Sequence, residues 1–198
     1  IFHNGEKKIS KQLGNGQLLS NLTKKKVVYD FRQNDLKNGG NGAPLAPIFH
    51  KLITRKERID LPVNFLNLGG IVNITYITNN KPSGVLSYDI GPGNCLIDAW
   101  IRKKTKKKYD DKGAIAKTGK TNEIILDAIH FYFNFIEGKH DKTGLPKRSL
   151  DISDFNLTDD FKKLSLEDGA ATLTEFTSRV LDPFIKNTKT DKEKIILC

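Results

Sequence analysis

The sequence predicts a mixed α/β fold, and three observations carry that prediction. Three short runs of strand-forming side chains occupy residues 63–68, 71–78 and 85–90. A double-glycine turn at Gly69 and Gly70 joins the first two runs, so the three strands are expected to form an antiparallel meander. Apolar stripes at helical spacing follow the strands, and residues 194–198 return to a strand pattern. Strands, then helices, then a strand indicate the mixed α/β class.

The N-terminal portion alternates between short elements and turns. Strands are predicted at residues 8–13 and 26–30, a helix at 17–22, and a helix or irregular segment at 45–52. Before the last of these, Asn38-Gly-Gly-Asn-Gly-Ala-Pro44 cannot hold regular structure, because glycine is unrestrained and Pro44 has no amide donor. A parting near residues 57–61 separates this smaller portion, residues 1–60, from a larger one, residues 61–198.

Three helices are predicted in the larger portion. The first follows Gly93 and the second covers residues 122–136. The third begins at a capping box with Ser165 at the N-cap and Asp168 in place of the usual Glu or Gln. The apolar stripes are Leu96, Ile97, Trp100 and Ile101; Ile124, Ile125, Ala128, Ile129, Tyr132, Phe133 and Ile136; and Leu173, Phe176, Val180, Leu181 and Phe184. Pro183 is expected to kink or stop the third helix.

The composition is that of a globular, basic chain. Its 198 residues include 33 Lys+Arg against 23 Asp+Glu, a formal net charge of +10. No apolar run approaches the roughly 20 residues that span a bilayer, and two cysteines in no redox spacing favour a cytoplasmic setting. The charge leaves a nucleic-acid-binding module as an alternative function. However, the lysine-rich run at 102–108 better fits a solvated helix end, so neither nucleic acid nor a membrane is expected as a partner.

The stretch Leu86-Ser-Tyr-Asp-Ile-Gly-Pro-Gly-Asn94 carries the most chemistry. An apolar strand ends on the carboxylate of Asp89, and a turn with Gly91 and Gly93 leads into a helix. In one interpretation Asp89 is a general base, the glycines let a ligand approach, and free amides at the helix start hold anionic oxygens. In the other, Asp89 only caps the helix. The local sequence does not choose between them.

A second motif, Asn67-Leu-Gly-Gly-Ile-Val-Asn73, joins two predicted strands. Such a turn can wrap a phosphate with backbone N–H groups, and Asn67 and Asn73 would add neutral polar contacts. The alternative is an ordinary hairpin whose turn needs a positive φ, which Gly69 and Gly70 provide. On this motif alone, the hairpin is the better interpretation.

A third motif places Arg32 and Asp35 before a glycine-rich segment that includes Gly42 and Pro44. Arg32 could hold a carboxylate through two parallel hydrogen bonds, and Asp35 could accept from sugar hydroxyls. An Asp–Arg ion pair that braces the loop is at least as good an interpretation. The histidines and cysteines show no metal-binding spacing, so no metal site is predicted from the residues.

In this order, the three motifs resemble the anhydro-N-acetylmuramic acid kinase family, bacterial sugar kinases of the actin-like ATPase superfamily. The resemblance covers nearly all 198 residues. Its anchors are residues 27–35, 39–45, 47–50, 67–73, 88–94 with Trp100, and 167–174. Each motif alone is weak evidence for the family, and the set in this order is specific to it.

The resemblance implies a two-lobed, ribonuclease H-like α/β fold with ATP between the lobes and Mg²⁺ beside it. It implies a cytoplasmic homodimer that converts 1,6-anhydro-N-acetylmuramic acid to N-acetylmuramic acid 6-phosphate and opens the anhydro ring with water, in cell-wall recycling. Asp89 matches the catalytic base. The Gly69–Gly70 turn, with Asn67 and Asn73, matches a phosphate loop for ATP. The substrate-binding positions that it implies are Arg32, Asp35, Gly42, Pro44, Gly91 and Asn94.

The sequence also departs from the family. It lacks the glycine- and serine-rich first phosphate loop and the adenosine-binding loop, contains no methionine, and starts in the middle of a family motif. We therefore expect a piece of a longer kinase, truncated at both ends and inactive alone. The missing loops leave open a non-catalytic sugar-binding or regulatory relative of the same fold.

Overall fold

The structure is a computed structural model that describes residues 2–4, 7–40, 42–134, 157, 159–186 and 194–198. The chain divides into two compact units, residues 1–49 and 50–198. Helices and strands occur in both, which confirms the mixed α/β class. The actin-like assignment and its lobes, residues 1–60 and 61–198, stay predictions.

The first unit contains a two-stranded antiparallel sheet and short helices. They are β1 (Phe2–Asn4), β2 (Ile9–Lys11), α1 (Gly16–Thr23), α2 (Phe31–Lys37) and the first residues of α3 (Ala46–Lys56). Asn15 caps α1, because its side chain accepts a hydrogen bond from the N–H of Leu18 at 2.9 Å. The strand predicted within residues 8–13 and the helix predicted at 17–22 are confirmed.

The strand predicted at residues 26–30 is wrong. The chain is irregular there, with Val28 and Tyr29 67% and 51% exposed, and no strand of the described residues pairs with it. Its β-branched and aromatic side chains suit a strand, but a strand also needs a neighbouring edge. Asp30 adopts a left-handed conformation with φ 65° and turns the chain directly into α2.

The second unit is built on a four-stranded mixed sheet. Its strands are β3 (Val63–Leu68), β4 (Ile71–Ile77), β5 (Val85–Pro92) and β6 (Lys194–Leu197), in the spatial order β5-β4-β3-β6. The first three form the predicted antiparallel meander, and β6 lies parallel to β3. The strand pattern at the end of the sequence is therefore also confirmed.

Helices cover both faces of this sheet. They are α4 (Asn94–Lys104), α5 (Glu123–Asn134), the one-turn helix α6 (Asp159–Lys162) and α7 (Leu166–Lys186) on one face, and α3 on the other. The larger core packs Trp100 and Phe176 against Val72 and Ile90 of the sheet. The smaller core, under α3, centres on Phe65 and its sheet neighbours.

The predicted start of α7 is confirmed, although the capping box is only half formed. The Ser165 hydroxyl accepts from the N–H of Asp168 at 3.0 Å. The Asp168 carboxylate instead reaches across the fold and accepts from the N–H of Lys120 at 2.8 Å. The helix continues past Pro183 to Lys186, so the proline does not stop it at once.

Three further predictions concern the chain as a whole. Cys95 and Cys198 are free thiols, and burial raises the pKa of the Cys95 thiol. None of the helices that the structure describes has the length and apolar character needed to cross a bilayer. The sequence also predicts a loop-rich segment at residues 138–160, and most of it lies outside the described residues.

Candidate active site

Three polar side chains form a row across the meander, beside the start of α4. Asn67 of β3 pairs with Asn73 of β4, and Asn73 pairs with Asp89 of β5. Directly paired residues have Cβ atoms about 4.5–5.5 Å apart. All three are half-buried. This polar row (Asn67, Asn73 and Asp89) brings the predicted base together with the asparagines predicted to bind phosphate.

The polar row lies at the more accessible end of one face of the sheet. Since side chains alternate along each strand, two further rows share that face. They are an apolar row, Val63, Ile77 and Val85, and a middle row, Phe65, Thr75 and Ser87. Val63 and Ile77 are fully buried and Phe65 is 3% exposed, whereas every member of the polar row is half-buried. Packing therefore holds one end of this face and leaves polar groups accessible at the other.

His50, near the middle of α3, holds the middle row together. Its ring stacks on Phe65 with centroids 4.5 Å apart, and its Nδ1 lies 2.9 Å from Thr75 Oγ1. Ser87 Oγ donates to the carbonyl of Ile74 at 2.7 Å and lies 3.3 Å from Thr75 Oγ1. Because the Ser87 proton goes to that carbonyl, Thr75 donates to Ser87, and His50 donates to Thr75. This network gives His50 a structural role.

We expect His50→Phe to reduce the loss of stability that acid causes. Burial lowers the pKa of His50 below its ordinary value of 6.5, so the unfolded chain takes up this proton first as the pH falls. The stability linked to His50 is thus present above about pH 6.5 and lost below it. Phenylalanine keeps a ring against Phe65 and does not titrate. The measurement is the free energy of unfolding of the wild type and of the variant at pH 7.5 and 5.5. An equal decrease between these pH values in both proteins would contradict the prediction.

A β-bulge directly follows Asp89 in β5. Val72 pairs with Gly91 and Asn73 pairs with Asp89, so Ile90 is an extra residue in β5. Ile90 is 4% exposed and packs in the core under the helices, whereas Asp89 stays on the opposite face. Asp89 lies on the face that strand alternation from Ser87 gives it, and the extra residue changes the pairing only beyond this point. Bulges are over-represented next to active sites.

Residues around the bulge have structural roles that the sequence left open. Gly93, not Asp89, occupies the N-cap of α4, which removes the interpretation of Asp89 as the helix cap. A Cβ on Gly91 would lie 2.6 Å from Val180 Cγ1 and 3.1 Å from Phe133 Cζ, so close packing is a reason for this glycine. A substrate contact of Gly91 stays a prediction.

The double-glycine turn does not need glycine for its own conformation. Neither Gly69 nor Gly70 has a φ in the left-handed region, contrary to the hairpin interpretation. A Cβ on Gly69 would come no closer than 3.5 Å to the Asn67 side chain, and one on Gly70 would lie 3.8 Å from Cys95 Cβ. Alanine therefore fits at both positions, and the open space beside the backbone suits a close-approaching ligand.

The amides at the start of α4 are not free, which corrects the prediction that they could hold anionic oxygens. The N–H groups of Gly93 and Cys95 donate to the Gly70 carbonyl at 2.9 and 3.1 Å, and the N–H of Asn94 donates to the Gly69 carbonyl at 2.9 Å. The two motifs are distant in sequence and meet only through the meander. These bonds fix the double-glycine turn beside the polar row. Asn94 is exposed, and its contact with substrate stays a prediction.

In the first unit, Arg32 and Asp35 both hold the backbone of Gly42. Asp35 Oδ2 accepts from the Gly42 N–H at 2.7 Å, and Arg32 Nη1 donates to the Gly42 carbonyl at 2.7 Å. Gly42 has φ 70°, which favours glycine. Both side chains therefore brace the loop, but they do so through the peptide groups of Gly42 and not through the Asp–Arg ion pair of that interpretation. Their contacts with a sugar stay predictions.

Sequence reasoning missed Lys8, which also holds this loop. Its Nζ donates to the carbonyls of Gly39 and Gly40 at 3.0 and 2.7 Å. A Cβ on Gly40 would lie 2.1 Å from Asp35 Oδ2, so the loop that leads to Pro44 packs directly on that carboxylate. The contact of the Thr177 hydroxyl with the carbonyls of Pro92 and Gly93 was missed as well. The contacts of Lys8 and Thr177 join residues far apart in sequence, and no local pattern marks them.

The comparisons with known proteins agree on one family. A family model described as anhydro-N-acetylmuramic acid kinase matches residues 1–198. The anhydro-N-acetylmuramic acid kinase of Pelagibacter ubique (strain HTCC1062) is 46% identical over 202 residues, covering 100% of this chain and 52% of that protein. The protein of the same name from Zymomonas mobilis subsp. mobilis (strain ATCC 31821 / ZM4 / CP4) is 42% identical over 167 residues, covering 84% and 43%. The chain spans about half the length of these curated relatives. The chain belongs to the anhydro-N-acetylmuramic acid kinase family.

Proposed function

We propose that the whole protein is an ATP-dependent sugar kinase that converts 1,6-anhydro-N-acetylmuramic acid to N-acetylmuramic acid 6-phosphate with hydrolytic opening of the anhydro ring. The polar row carries this proposal, because it places the Asp89 carboxylate and two side-chain amides next to a glycine turn with room for a ligand. Relatives that are 46% and 38% identical to the chain carry the name anhydro-N-acetylmuramic acid kinase. A kinase that also adds water needs a base close to its phosphate-binding turn.

Asp89 is the general base in this proposal. Its carboxylate takes a proton from a water molecule, whose oxygen forms a bond to the anomeric carbon of the sugar. The bond from that carbon to the bridging oxygen breaks, and the bridging oxygen keeps the electron pair and attacks the γ-phosphorus of ATP. ADP leaves with the electrons of the broken phosphorus–oxygen bond. One carboxylate thus assists two coupled bond changes.

Gly69 and Gly70 bind the phosphates of ATP through backbone N–H groups in this proposal, with Asn67 and Asn73 as neutral side-chain partners. The space at both glycines supports such an approach. Mg²⁺ supplies charge neutralisation at the phosphates when it is bound. Across the described ranges, no group of three or more His, Cys, Asp or Glu is placed to hold a metal.

Six residues are proposed contacts of the sugar. Arg32, Asp35, Gly42 and Pro44 belong to the first unit, and Gly91 and Asn94 belong to the second. The hydrogen bonds that hold the Gly42 loop support a pre-organised substrate contact. A homodimer and a cytoplasmic location complete the proposal, since the family resemblance implies both.

The proposal is tested by Gly70→Ala in a polypeptide of the relatives' length that carries these 198 residues. We expect the wild type to phosphorylate the anhydro sugar with ATP. In the variant we expect the KM for ATP to rise about tenfold or more, because the new methyl group occupies the space proposed for a phosphate. The melting temperature and the KM for the sugar should stay near wild type, since the methyl group meets only Cys95 Cβ at 3.8 Å. An unchanged KM for ATP would remove Gly70 from the phosphate site, and a wild type without phosphorylation would refute the proposed function.

A further inference from the structure

The junction between β5 and α4, residues 92–95, is bonded to the double-glycine turn. Three backbone N–H groups of the junction donate to the carbonyls of Gly69 and Gly70 at 2.9–3.1 Å. The turn therefore cannot shift without the junction. A Cβ on Gly93 would lie 2.2 Å from the Gly69 carbonyl oxygen, which shows how closely the two backbones meet.

The same junction continues the strand that carries Asp89. Gly91 and Pro92 belong to β5 and pair with Val72 and Ile71 of β4. All three residues 91–93 are buried. Because Gly91 and Pro92 are paired with β4 and Ile90 is packed in the core, a displacement of the junction moves the carboxylate as well as the turn.

Thr177 of α7 is the side chain that holds this junction from the helix layer. Its hydroxyl lies 3.2 Å from the Pro92 carbonyl and 3.2 Å from the Gly93 carbonyl, and it donates to both as a shared hydrogen bond. The residue is half-buried. This contact links α7 to the peptide groups that connect the strand of the base with the turn.

We propose that Thr177 is a positioning residue that fixes the Pro92–Gly93 junction. It thereby keeps the Asp89 carboxylate and the double-glycine turn at fixed positions relative to each other. The inference rests on the proposed function of that site. Thr177 touches no reacting atom in this scheme. It acts through the backbone, and its removal loosens two parts of the site together. Small displacements of a catalytic group lower turnover by up to about a hundredfold.

Thr174, on the same helix, is a matched control. Its hydroxyl donates to the Ala170 carbonyl at 2.9 Å within α7, and the residue is exposed. Thr174→Val and Thr177→Val remove the same hydroxyl from the same helix and have the same effect on helix propensity. Only Thr177→Val removes a contact with the junction.

The test uses a polypeptide of the relatives' length carrying Thr177→Val, Thr177→Ser or Thr174→Val. With ATP and the anhydro sugar, we expect Thr177→Val to lower kcat about tenfold or more and to raise the KM for ATP, with the KM for the sugar within about twofold. Thr177→Ser keeps the hydroxyl and should restore kcat to within about threefold of wild type. Thr174→Val should match the wild type. Equal kcat values for the two valine variants, or a serine variant as slow as Thr177→Val, would overturn the inference.

Amide hydrogen exchange separates this inference from the proposed function, because it needs no turnover. In Thr177→Val we expect faster exchange in peptides that cover residues 67–73 and 91–96, and no change there in Thr174→Val. Unchanged exchange would overturn the inference even in an active enzyme. Faster exchange in a protein without kinase activity would support the junction and refute only the proposed reaction.

Discussion

Replacing Asp89 with asparagine is expected to lower kcat by about 10²–10⁴-fold, the range over which a general base contributes. The amide has nearly the same shape as the carboxylate and cannot take a proton from water. Asp89 pairs with Asn73 and is half-buried, so the asparagine side chain fits in the same space. The measurement is steady-state turnover of the polypeptide of the relatives' length with ATP and the anhydro sugar.

Asp98→Asn is the control for this result. Asp98 lies on α4, where its carboxylate is 3.8 Å from Arg102 in an ion pair on the surface. The same chemical change there should leave kcat within about twofold of wild type, since exposed ion pairs contribute little. Both variants should keep the wild-type melting temperature and ATP affinity. Turnover of Asp89→Asn within a few-fold of wild type would show that another group removes the proton.

The elements with a clear period were predictable from the sequence. The helices α4, α5 and α7 each bury one face, and its residues recur at a spacing of about 3.6. The strands of the meander were marked by short apolar runs between turns, since β3 is buried on both faces. Residues 26–30 have the composition of a strand, but no described strand pairs with them. The left-handed conformation of Asp30 turns the chain from this segment into α2. A local pattern cannot report whether a neighbouring edge exists.

The polar row could be predicted only in part. Asn67, Asn73 and Asp89 were singled out from motifs, and their alignment depends on the register of two hairpins. A shift of one residue would have sent a side chain to the opposite face.

Long-range hydrogen bonds account for what the sequence did not reveal. Amides at the start of α4 that looked free are used by Gly69 and Gly70, and the hydroxyl of Thr177 reaches residues 84 positions away. Arg32 and Asp35 looked like a pair, and both hold Gly42. In each case the residue type indicated a polar contact, and the tertiary fold chose the partner.

Gly93→Ala is expected to lower the stability of the second unit by about 1–3 kcal/mol, the usual range for overpacking. The new Cβ would lie 2.2 Å from the Gly69 carbonyl oxygen and 3.1 Å from Val72 Cγ2, and neither the carbonyl nor the buried valine can move without disturbing the sheet. The carbonyl is part of the backbone that the N–H of Asn94 holds at 2.9 Å. For a chain of this size the melting temperature should fall by several degrees.

Gly14→Ala is the matched control, because no heavy atom would lie within 4 Å of its Cβ and its φ is outside the left-handed region. There alanine restricts only the unfolded chain, and the expected effect is neutral or stabilising by up to about 1 kcal/mol. Equal melting temperatures for Gly93→Ala and the wild type would mean that the turn and the junction separate freely. In that case the double-glycine turn and the strand of Asp89 would not be fixed relative to each other. The backbone hydrogen bonds between the turn and the junction could then not transmit the effect of Thr177.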